Sequence, residues 1–224
     1  MKITFLGTGA ADWIFDLHKD MKDFRRNSSA LIDDTLLIDP GPDVIDALDT
    51  FGKDANEIKY IINTHSHSDH YCKKTLEALS GAAFIGFEDG DEKKVGKYLI
   101  KAFKANHSTC KDAVHFIIDD GEKKLFYGLD SAWLTYEEVG AINSLKIDYA
   151  VLDATIGDIS GDYRIFEHNN LTMVREIAAT LRGSVKKFCI SHMARTLHTD
   201  HKTLSENMEK CGIDTAYDGM ERNV

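Results

Sequence analysis

Three histidines and an aspartate stand within six residues, at His65, His67, Asp69 and His70, directly after the apolar segment IKYIINT. This segment predicts a buried strand, and residues 65 and 67 leave it on the same side because side chains alternate along an extended backbone. Neutral imidazoles and carboxylates are standard zinc ligands. The cluster therefore predicts a metal site at the end of a core strand, where ligands from other strands can converge.

Short apolar segments alternate with helical patterns along most of the chain. Strands are predicted at KITFLG, SSALID, TLLID, IKYIINT, AAFIGF, IKAFKANH, AVHFIID, KKLFYGLD, DYAVLDA, KKFCISH and DTAYDGM. Helices are predicted at DVIDALDTFG, YCKKTLEALSG, DEKKVGKYL, NLTMVREIAATLRG and KTLSENMEKCG. In the fourth helix Leu171, Val174, Ala178 and Leu181 share one face, which should pack on a sheet. The pattern indicates an α/β protein, preferably two sheets with helices outside, although periodicity alone does not exclude a single mixed sheet.

The domain organisation is expected to be simple. The two prolines, Pro40 and Pro42, both lie in DPGPD, and no Gly/Ser-rich tract interrupts the chain. We therefore expect residues 1–224 to form a single domain. The polar connection of residues 8–27 is long for a compact domain and is interpreted as a candidate wall of a binding pocket.

The amino-acid composition restricts the molecules that the protein is expected to bind. The chain has 27 Lys and Arg against 37 Asp and Glu, a formal charge of -10, which disfavours nonspecific binding to nucleic acid. No apolar stretch approaches the length of a membrane span, and the opening MKITFLGTGAADW is too short and glycine-rich for a signal peptide. Four scattered cysteines without a CxxC pair are typical of reduced thiols. We expect a cytoplasmic protein that does not bind membranes.

The HSHSDH segment matches the signature HxHxDH, and through it the chain resembles the metallo-β-lactamase superfamily over nearly its whole length. The resemblance implies a four-layer αββα sandwich that holds two divalent ions, zinc first, with manganese or iron as alternatives. It assigns His65, His67 and His107 to one ion, Asp69, His70 and His192 to the other, and Asp130 to a position between them. The sequence agrees with this assignment, because His107, Asp130 and His192 each lie at the end of a predicted strand.

Asp39, which ends TLLID, resembles the carboxylate that orients a metal ligand in this superfamily. A turn-forming role before Pro40 accounts for it equally well.

Other sequence features indicate which branch of the superfamily the chain resembles. The flavin-linked di-iron branch has Glu at the position of His67, so that branch is disfavoured. The segment LDATIG to CISHM looks like ribonuclease Z and the cyclic phosphodiesterase of the carbon-phosphorus lyase pathway, where a histidine before a helix assists at the scissile phosphate. Here that histidine is His168, in EHNNLT. Two departures stand out: only 22 residues separate His107 from Asp130, too few for a tRNA-gripping arm, and residues 11–27 contain no cysteine for a structural zinc.

The function expected from this resemblance is cleavage of a small or cyclic phosphodiester by a hydroxide shared between the two ions. Asp69 would orient the hydroxide, His168 would serve as general acid, and Arg25 and Arg26 would contact the phosphate. Hydrolysis of a lactone or thioester uses the same ligands and is the main alternative. A ribonuclease relying on a partner or dimer surface, and an inert metal-binding protein, are weaker alternatives, and a homodimer stays open.

Overall fold

The computed structural model describes residues 1–224 and contains two β-sheets that pack face to face. The first sheet has the order β13-β1-β2-β3-β4-β5, and the second has the order β12-β11-β10-β9-β8-β7-β6. The strands of the first sheet are β1 (Lys2–Gly7), β2 (Ser29–Ile32), β3 (Leu36–Ile38), β4 (Tyr60–Ile62), β5 (Ala83–Phe84) and β13 (Glu221–Asn223). Those of the second are β6 (Glu92–Val95), β7 (Tyr98–Lys104), β8 (Val114–Asp119), β9 (Lys124–Gly128), β10 (Ile147–Asp153), β11 (Val185–Ser191) and β12 (Ile213–Thr215).

The inner strands are apolar on both faces because each sheet is covered on both sides. In β3, Leu36 and Ile38 face the central core between the sheets, whereas Leu37 packs with the outer helices. In β8, Phe116 lies in the central core and Ile117 faces the helices of the other side. This double burial explains why these strands read as continuous apolar segments rather than alternating ones.

Helices cover the outer face of each sheet. The helices are α1 (Phe15–His18), which buries no residue and lies in the long connection, α2 (Val44–Thr50), α3 (Lys73–Ala78), α4 (Tyr136–Leu145), α5 (Leu171–Leu181) and α6 (His201–Glu209). Residues of α2 pack with the first sheet, and those of α4, α5 and α6 pack with the second. Leu171, Val174, Ala178 and Leu181 are all buried, as their spacing predicts. The four-layer αββα sandwich is confirmed. No helix has the length and apolar character needed to cross a membrane.

The predicted helix DEKKVGKYL is wrong: the segment forms β6 and the start of β7. These strands pair as a hairpin around Gly96, whose φ of 57° lies in the left-handed region that favours glycine. Val95, Tyr98 and Ile100 are buried in the central core, whereas Lys97 and Leu99 between them are exposed. The three lysines and one glutamate gave this segment a helical composition, but Val95 and Tyr98 face the opposite sheet.

Two further differences concern segments after residue 130. Helix α4 was not predicted, although Thr135 and Glu138 form a capping box at its start. The predicted final strand DTAYDGM is strand only to Thr215, and residues 221–223 then join the first sheet by pairing antiparallel with β1. The two sheets are thus linked by the segment that follows β12.

A buried ion pair fixes α4 against the second sheet. Glu138 Oε1 contacts His115 Nδ1, and the other ring nitrogen of His115 lies 3.0 Å from the carbonyl oxygen of Leu129. Burial alone would lower the pKa of His115, but the Glu138 carboxylate raises it above its ordinary value. The same carboxylate accepts a hydrogen bond from the backbone N–H of Thr135 at 2.6 Å, so one side chain caps the helix and anchors it.

Glycines at two positions should respond oppositely to alanine. A Cβ at Gly7 would overlap the backbone carbonyl of Asn27, whereas a Cβ at Gly140, inside α4, would have no atom within 4 Å. We predict that Gly7→Ala lowers the free energy of unfolding by at least about 1–3 kcal/mol. Gly140→Ala should raise it by about 0.5–1 kcal/mol because alanine is the better helix former. Urea unfolding of both variants measures the two changes, and equal shifts would contradict this packing.

Candidate metal centre

The ligand residues proposed from the sequence come together where several strands end. His65 to His70 follow β4, His107 follows β7, Asp130 follows β9 and His192 follows β11, each chain segment entering the site within three residues of its strand. All are buried except His67, which is half-buried and opens to the cleft. Segments that are far apart in the sequence therefore contribute to one cluster.

Three histidines form the first ligand group. His67 Nδ1 lies 3.1 Å from His65 Nε2 and 3.1 Å from His107 Nε2. Ligand nitrogens bound to a tetrahedral zinc at 2.0–2.1 Å stand about 3.3 Å apart. The three nitrogens therefore have the spacing that a single ion requires.

The second group combines two histidines with two carboxylates. His70 Nε2 and His192 Nε2 lie 3.2 Å apart, and Asp69 Oδ2 is 3.4 and 3.5 Å from them. Asp130 Oδ2 is 2.9 Å from His70 Nε2 and 3.2 Å from His192 Nε2, yet it is buried without a properly directed hydrogen bond. Since Asp130 also groups with His65 and His70, its carboxylate faces both groups. A buried carboxylate oxygen that lacks a hydrogen bond fits the role of a metal ligand.

Asp39 supports the cluster from behind. It is completely buried, and its Oδ2 lies 2.9 Å from His70 Nδ1 while its Oδ1 accepts hydrogen bonds from the backbone N–H and hydroxyl of Thr64. Thr64 Oγ1 in turn lies 3.0 Å from His65 Nδ1. Because the outer nitrogens of His65 and His70 are engaged, their inner Nε2 atoms are left to bind an ion.

Asp153 orients two further histidines on the opposite side of the cluster, as Asp39 orients His70. It closes β10, and its Oδ2 lies 3.0 Å from His168 Nδ1 and 3.5 Å from His192 Nδ1. Thr155 Oγ1 lies between them, 3.0 Å from His168 Nδ1 and 2.7 Å from His192 Nδ1. One carboxylate and one hydroxyl therefore orient both imidazoles.

His168 lies between the two ligand groups. Its ring stacks on His192 with centroids 5.5 Å apart and stands 5.1 Å from the ring of His107. It precedes α5 by three residues, and Asn170 caps that helix by accepting from the backbone N–H of Met173, so His168 is held by Asp153 rather than by the helix terminus. With Nδ1 engaged, the Nε2 atom is free for a ligand.

The backbone is turned at the residues that enter the site. Asp39, Asp130 and His192 each follow a strand and have φ values of 60°, 56° and 62°. Left-handed backbone is unfavourable for residues other than glycine and persists only where the surrounding structure holds it. This turn directs each side chain out of its sheet and toward the shared cluster.

The buried histidines and carboxylates of the cluster shift one another's pKa values. Burial opposes a charge on His192, but Asp130 and then Asp153 raise its pKa to about 10. Burial likewise opposes a charge on His168, but Asp153 raises its pKa above the ordinary value. For His65, burial and the nearby charge of His70 lower the pKa to about 2. An ion that binds His192 must displace its proton, so metal affinity should fall at low pH.

A cleft of about 270 Å³ opens onto the cluster. Residues 10–12 of the long connection line one part of it, in agreement with the interpretation of residues 8–27 as a pocket wall, and Arg164, Glu167 and His168 line another. The only arginine that lines it is Arg164, whose Nε and Nη2 donate to Asp162 at 2.8 and 2.6 Å.

Arg25 and Arg26 do not line this cleft, so the predicted phosphate contacts are not supported. The guanidinium of Arg25 is buried and donates to Thr8 Oγ1 at 2.6 Å and to the carbonyl of Ala216 at 2.9 Å. That of Arg26 contacts Asp46 at 2.6 Å and stacks on aromatic rings. Both arginines fasten the long connection to the rest of the protein.

Comparison with known proteins bears on this arrangement. The sequence pattern described as "Metallo-beta-lactamase superfamily" matches residues 23–72, which include the whole HSHSDH segment. The metallo-β-lactamase fold protein YhfI from Bacillus subtilis has the same fold, with a TM-score of 0.77 at 16% identity over 99% of this chain and 98% of that one. The chain therefore has the metallo-β-lactamase fold, and its residues 23–72 match the sequence pattern of that superfamily.

Other similar proteins match part of the sequence or share the fold alone. A UPF0173 protein of Pyrococcus furiosus is 32% identical over 112 residues, 42% of this chain and 50% of that protein, so the match spans about half the length of this curated relative. A diphosphatase of the PhnP family has a TM-score of 0.74 at 17% identity, covering 100% of this chain and 97% of that one. Human tRNase Z, short form, has a TM-score of 0.73 at 18% identity, covering 100% and 99%.

The sequence reasoning missed Asp153, Thr155 and Arg164. The signal for Asp153 was available, because it closes a predicted strand in the same way as Asp130 and His192. Arg164 lies in a short 3-10 turn at residues 163–166, and no pattern in the sequence marks that turn as part of a cleft.

Asp39→Asn should weaken metal binding. The amide nitrogen would face a donor at either His70 or Thr64, so the histidine would lose its orientation, and such changes typically cost 10–100-fold in affinity. Competition with a chelating dye measures this loss. Asp49→Asn, on the exposed face of α2, is the matched control. Equal affinities of the two variants would show that Asp39 is only a turn residue.

Proposed function

We propose that this protein is a binuclear metal-dependent phosphodiesterase that cleaves a small or cyclic phosphodiester. The observation that carries the proposal is His168, which Asp153 holds beside both ligand groups with Nε2 free. The ligand set itself also suits lactone and thioester hydrolases. A fixed proton donor next to the ligands suits a substrate whose leaving group is a poorly stabilised alkoxide.

The residues that would hold the ions fall into the two observed groups. His65, His67 and His107 would hold one ion, and Asp69, His70 and His192 the other, with Asp130 between them. When bound, two such ions lower the pKa of water to supply a nucleophile at neutral pH and offset the charge of the phosphoryl oxygens. Zinc suits this set of imidazoles and carboxylates best, with manganese or iron as alternatives.

The side chains of the chain itself would position the reactants. Asp69 lines the cleft, so its carboxylate can accept a hydrogen bond from the attacking water. His168 would give the proton at Nε2 to the leaving oxygen, while Asp153 stabilises the imidazolium through Nδ1. A positioned general acid of this kind typically contributes about 10²- to 10⁴-fold.

The electrostatics and the fold support an anionic substrate of modest size. Two bound divalent cations would add four positive charges at the cleft of a chain whose formal charge of -10 otherwise repels phosphate esters. The similar solved structures include a diphosphatase and a tRNase Z. The expected partner is a small molecule. The single-domain organisation, the cytoplasmic location and a homodimer stay predictions.

The proposal is tested by assaying zinc- and manganese-loaded protein with bis-p-nitrophenyl phosphate, a 2′,3′-cyclic nucleotide, a lactone and a thioester. We expect the wild type to turn over the diesters. The His65→Ala variant should be inactive and should contain less metal. A protein with full metal content that cleaves only the lactone or thioester would belong to the carboxylic ester hydrolases, and the proposal would be wrong.

His168→Ala should affect substrates according to their leaving group. An alkoxide needs a proton to leave, so cleavage of the cyclic nucleotide should slow by about 10²- to 10⁴-fold. p-Nitrophenolate leaves without a proton, so bis-p-nitrophenyl phosphate should lose much less. Metal content should stay that of the wild type, and His18→Ala, outside the cleft, is the control. Equal losses on both substrates would exclude His168 as the general acid.

A further inference from the structure

A cavity of about 450 Å³ lies beside the metal centre, where the long connection of residues 8–27 meets the start of α2. We call it the aspartate cavity and define it by Trp13, Ile14, Asp16, Pro42, Asp43 and Asp46. Ala11 and Asp69 line both this cavity and the cleft over the ligand groups, so the two adjoin at these residues. A substrate bound at the metal centre can therefore extend into the aspartate cavity.

The lining of the aspartate cavity is acidic and contains no basic side chain. The charge of Asp46 is compensated, because its carboxylate contacts the guanidinium of Arg26 at 2.6 Å. Asp16, exposed on α1, is in no ion pair and its side chain makes no hydrogen bond. The neighbouring cations Lys19 and Arg26 stand over the ring of Phe15 and do not line the cavity. The cavity therefore has negative charge that no side chain balances.

Asp43 directs an unused carboxylate oxygen into this cavity. Its exposed fraction is only 8%, and its Oδ2 accepts a hydrogen bond from the backbone N–H of Asn27 at 2.9 Å. The Oδ1 atom accepts no hydrogen bond, and it is not sealed inside the protein. Asp43 precedes α2, yet its side chain does not cap that helix. A nearly buried carboxylate with one idle oxygen lacks a donor that a ligand can supply.

Electrostatics at Asp43 favour a cationic donor. Burial raises the pKa of Asp43 above its ordinary value, and the nearby charges of Asp46 and Asp16 raise it further. The hydrogen bond from Asn27 and the charge of Arg26 oppose this shift without cancelling it. A second cation next to the carboxylate would stabilise its ionised form.

The remaining walls of the aspartate cavity indicate what kind of cation fits. The oxygens of Asp16, Asp43 and Asp46 do not converge within ligand distance of one another, as a divalent ion requires. Trp13, Ile14 and Pro42 add an apolar surface beside the carboxylates. Methylene groups can cover such a surface while a charged end reaches the acids. The cavity thus suits an organic ammonium group on a short carbon chain.

We propose that the aspartate cavity binds a protonated amine of the substrate, so that the preferred substrate is a phosphodiester with an aminoalkyl ester group. This inference rests on the proposed function, because it requires the phosphoryl group to lie at the metal centre. Asp43 accepts a hydrogen bond from the ammonium group and Asp16 adds charge. A diester of this kind carries no net charge, so a chain with a formal charge of -10 does not repel it.

The experiment uses p-nitrophenyl phosphodiesters whose second ester group is an aminoalkyl chain of two to five carbons. Each is compared with the uncharged chain in which a methyl group replaces the ammonium, and p-nitrophenolate leaves from both. The wild type should have the higher kcat/KM for the aminoalkyl ester at one preferred chain length, and added salt should reduce this preference. An equal kcat/KM for both members of every pair would contradict the proposal.

Substitutions assign the preference to the cavity. Asp43→Asn keeps the oxygen that accepts from Asn27 and should lower the ratio of the two kcat/KM values about tenfold, mainly through KM. Asp16→Asn removes an exposed charge and should lower the ratio about twofold. Asp49→Asn, exposed on α2 and outside both cavities, should leave it unchanged. A preference that survives both Asp43→Asn and Asp16→Asn would overturn the proposal.

A binding measurement separates this inference from the proposed function. Calorimetry on the metal-loaded protein compares aminoalkyl phosphate monoesters with alkyl phosphates of the same length, neither of which requires turnover. Tighter binding of the aminoalkyl phosphate that Asp43→Asn abolishes supports the aspartate cavity, even if no diester is cleaved and the proposed function fails. Diester turnover without preference for the amine, in both assays, would overturn the aspartate cavity and leave the proposed function standing.

Discussion

The burial of the Asp130 carboxylate constrains everything around it. An isolated carboxylate inside a protein costs several kcal/mol, which only paired charges or bound cations offset. Here His70 and His192 supply that compensation within 3.2 Å, and their own outer nitrogens depend on Asp39, Asp153 and Thr155. The strand ends, their left-handed turns and the connecting hydrogen bonds all serve to keep this charge compensated.

The sequence predicted the parts of the structure that depend on local pattern. The α/β class and the preference for two sheets followed from the alternation of apolar strands with amphipathic helices, whereas the four-layer αββα sandwich followed from the resemblance. Helix α5 packs with the face its spacing indicates. The ligand positions followed from the signature and from residues that close strands. Thus 107, 130 and 192 lie beside the 65 to 70 cluster, as expected.

Features that depend on tertiary contacts could not be predicted in the same way. Residues 92–104 form a hairpin because Val95, Tyr98 and Ile100 pack against the opposite sheet, and this contact overrides a helical composition. Arg25 and Arg26 have the right chemistry for phosphate, but the fold uses their guanidinium groups to hold a loop. Their location depends on where residues 8–27 cross the protein, which no short-range pattern specifies.

Because residues 221–223 pair with β1, the first sheet is completed only after these residues have been synthesised. A nascent chain that has left the ribosome only as far as β10 already contains the histidines of the first group, but it lacks His192 and β13, the second neighbour of β1. Ions captured at that stage would meet an incomplete and solvent-exposed set of ligands. The complete set of ligands therefore exists only after β11 and His192 have been synthesised.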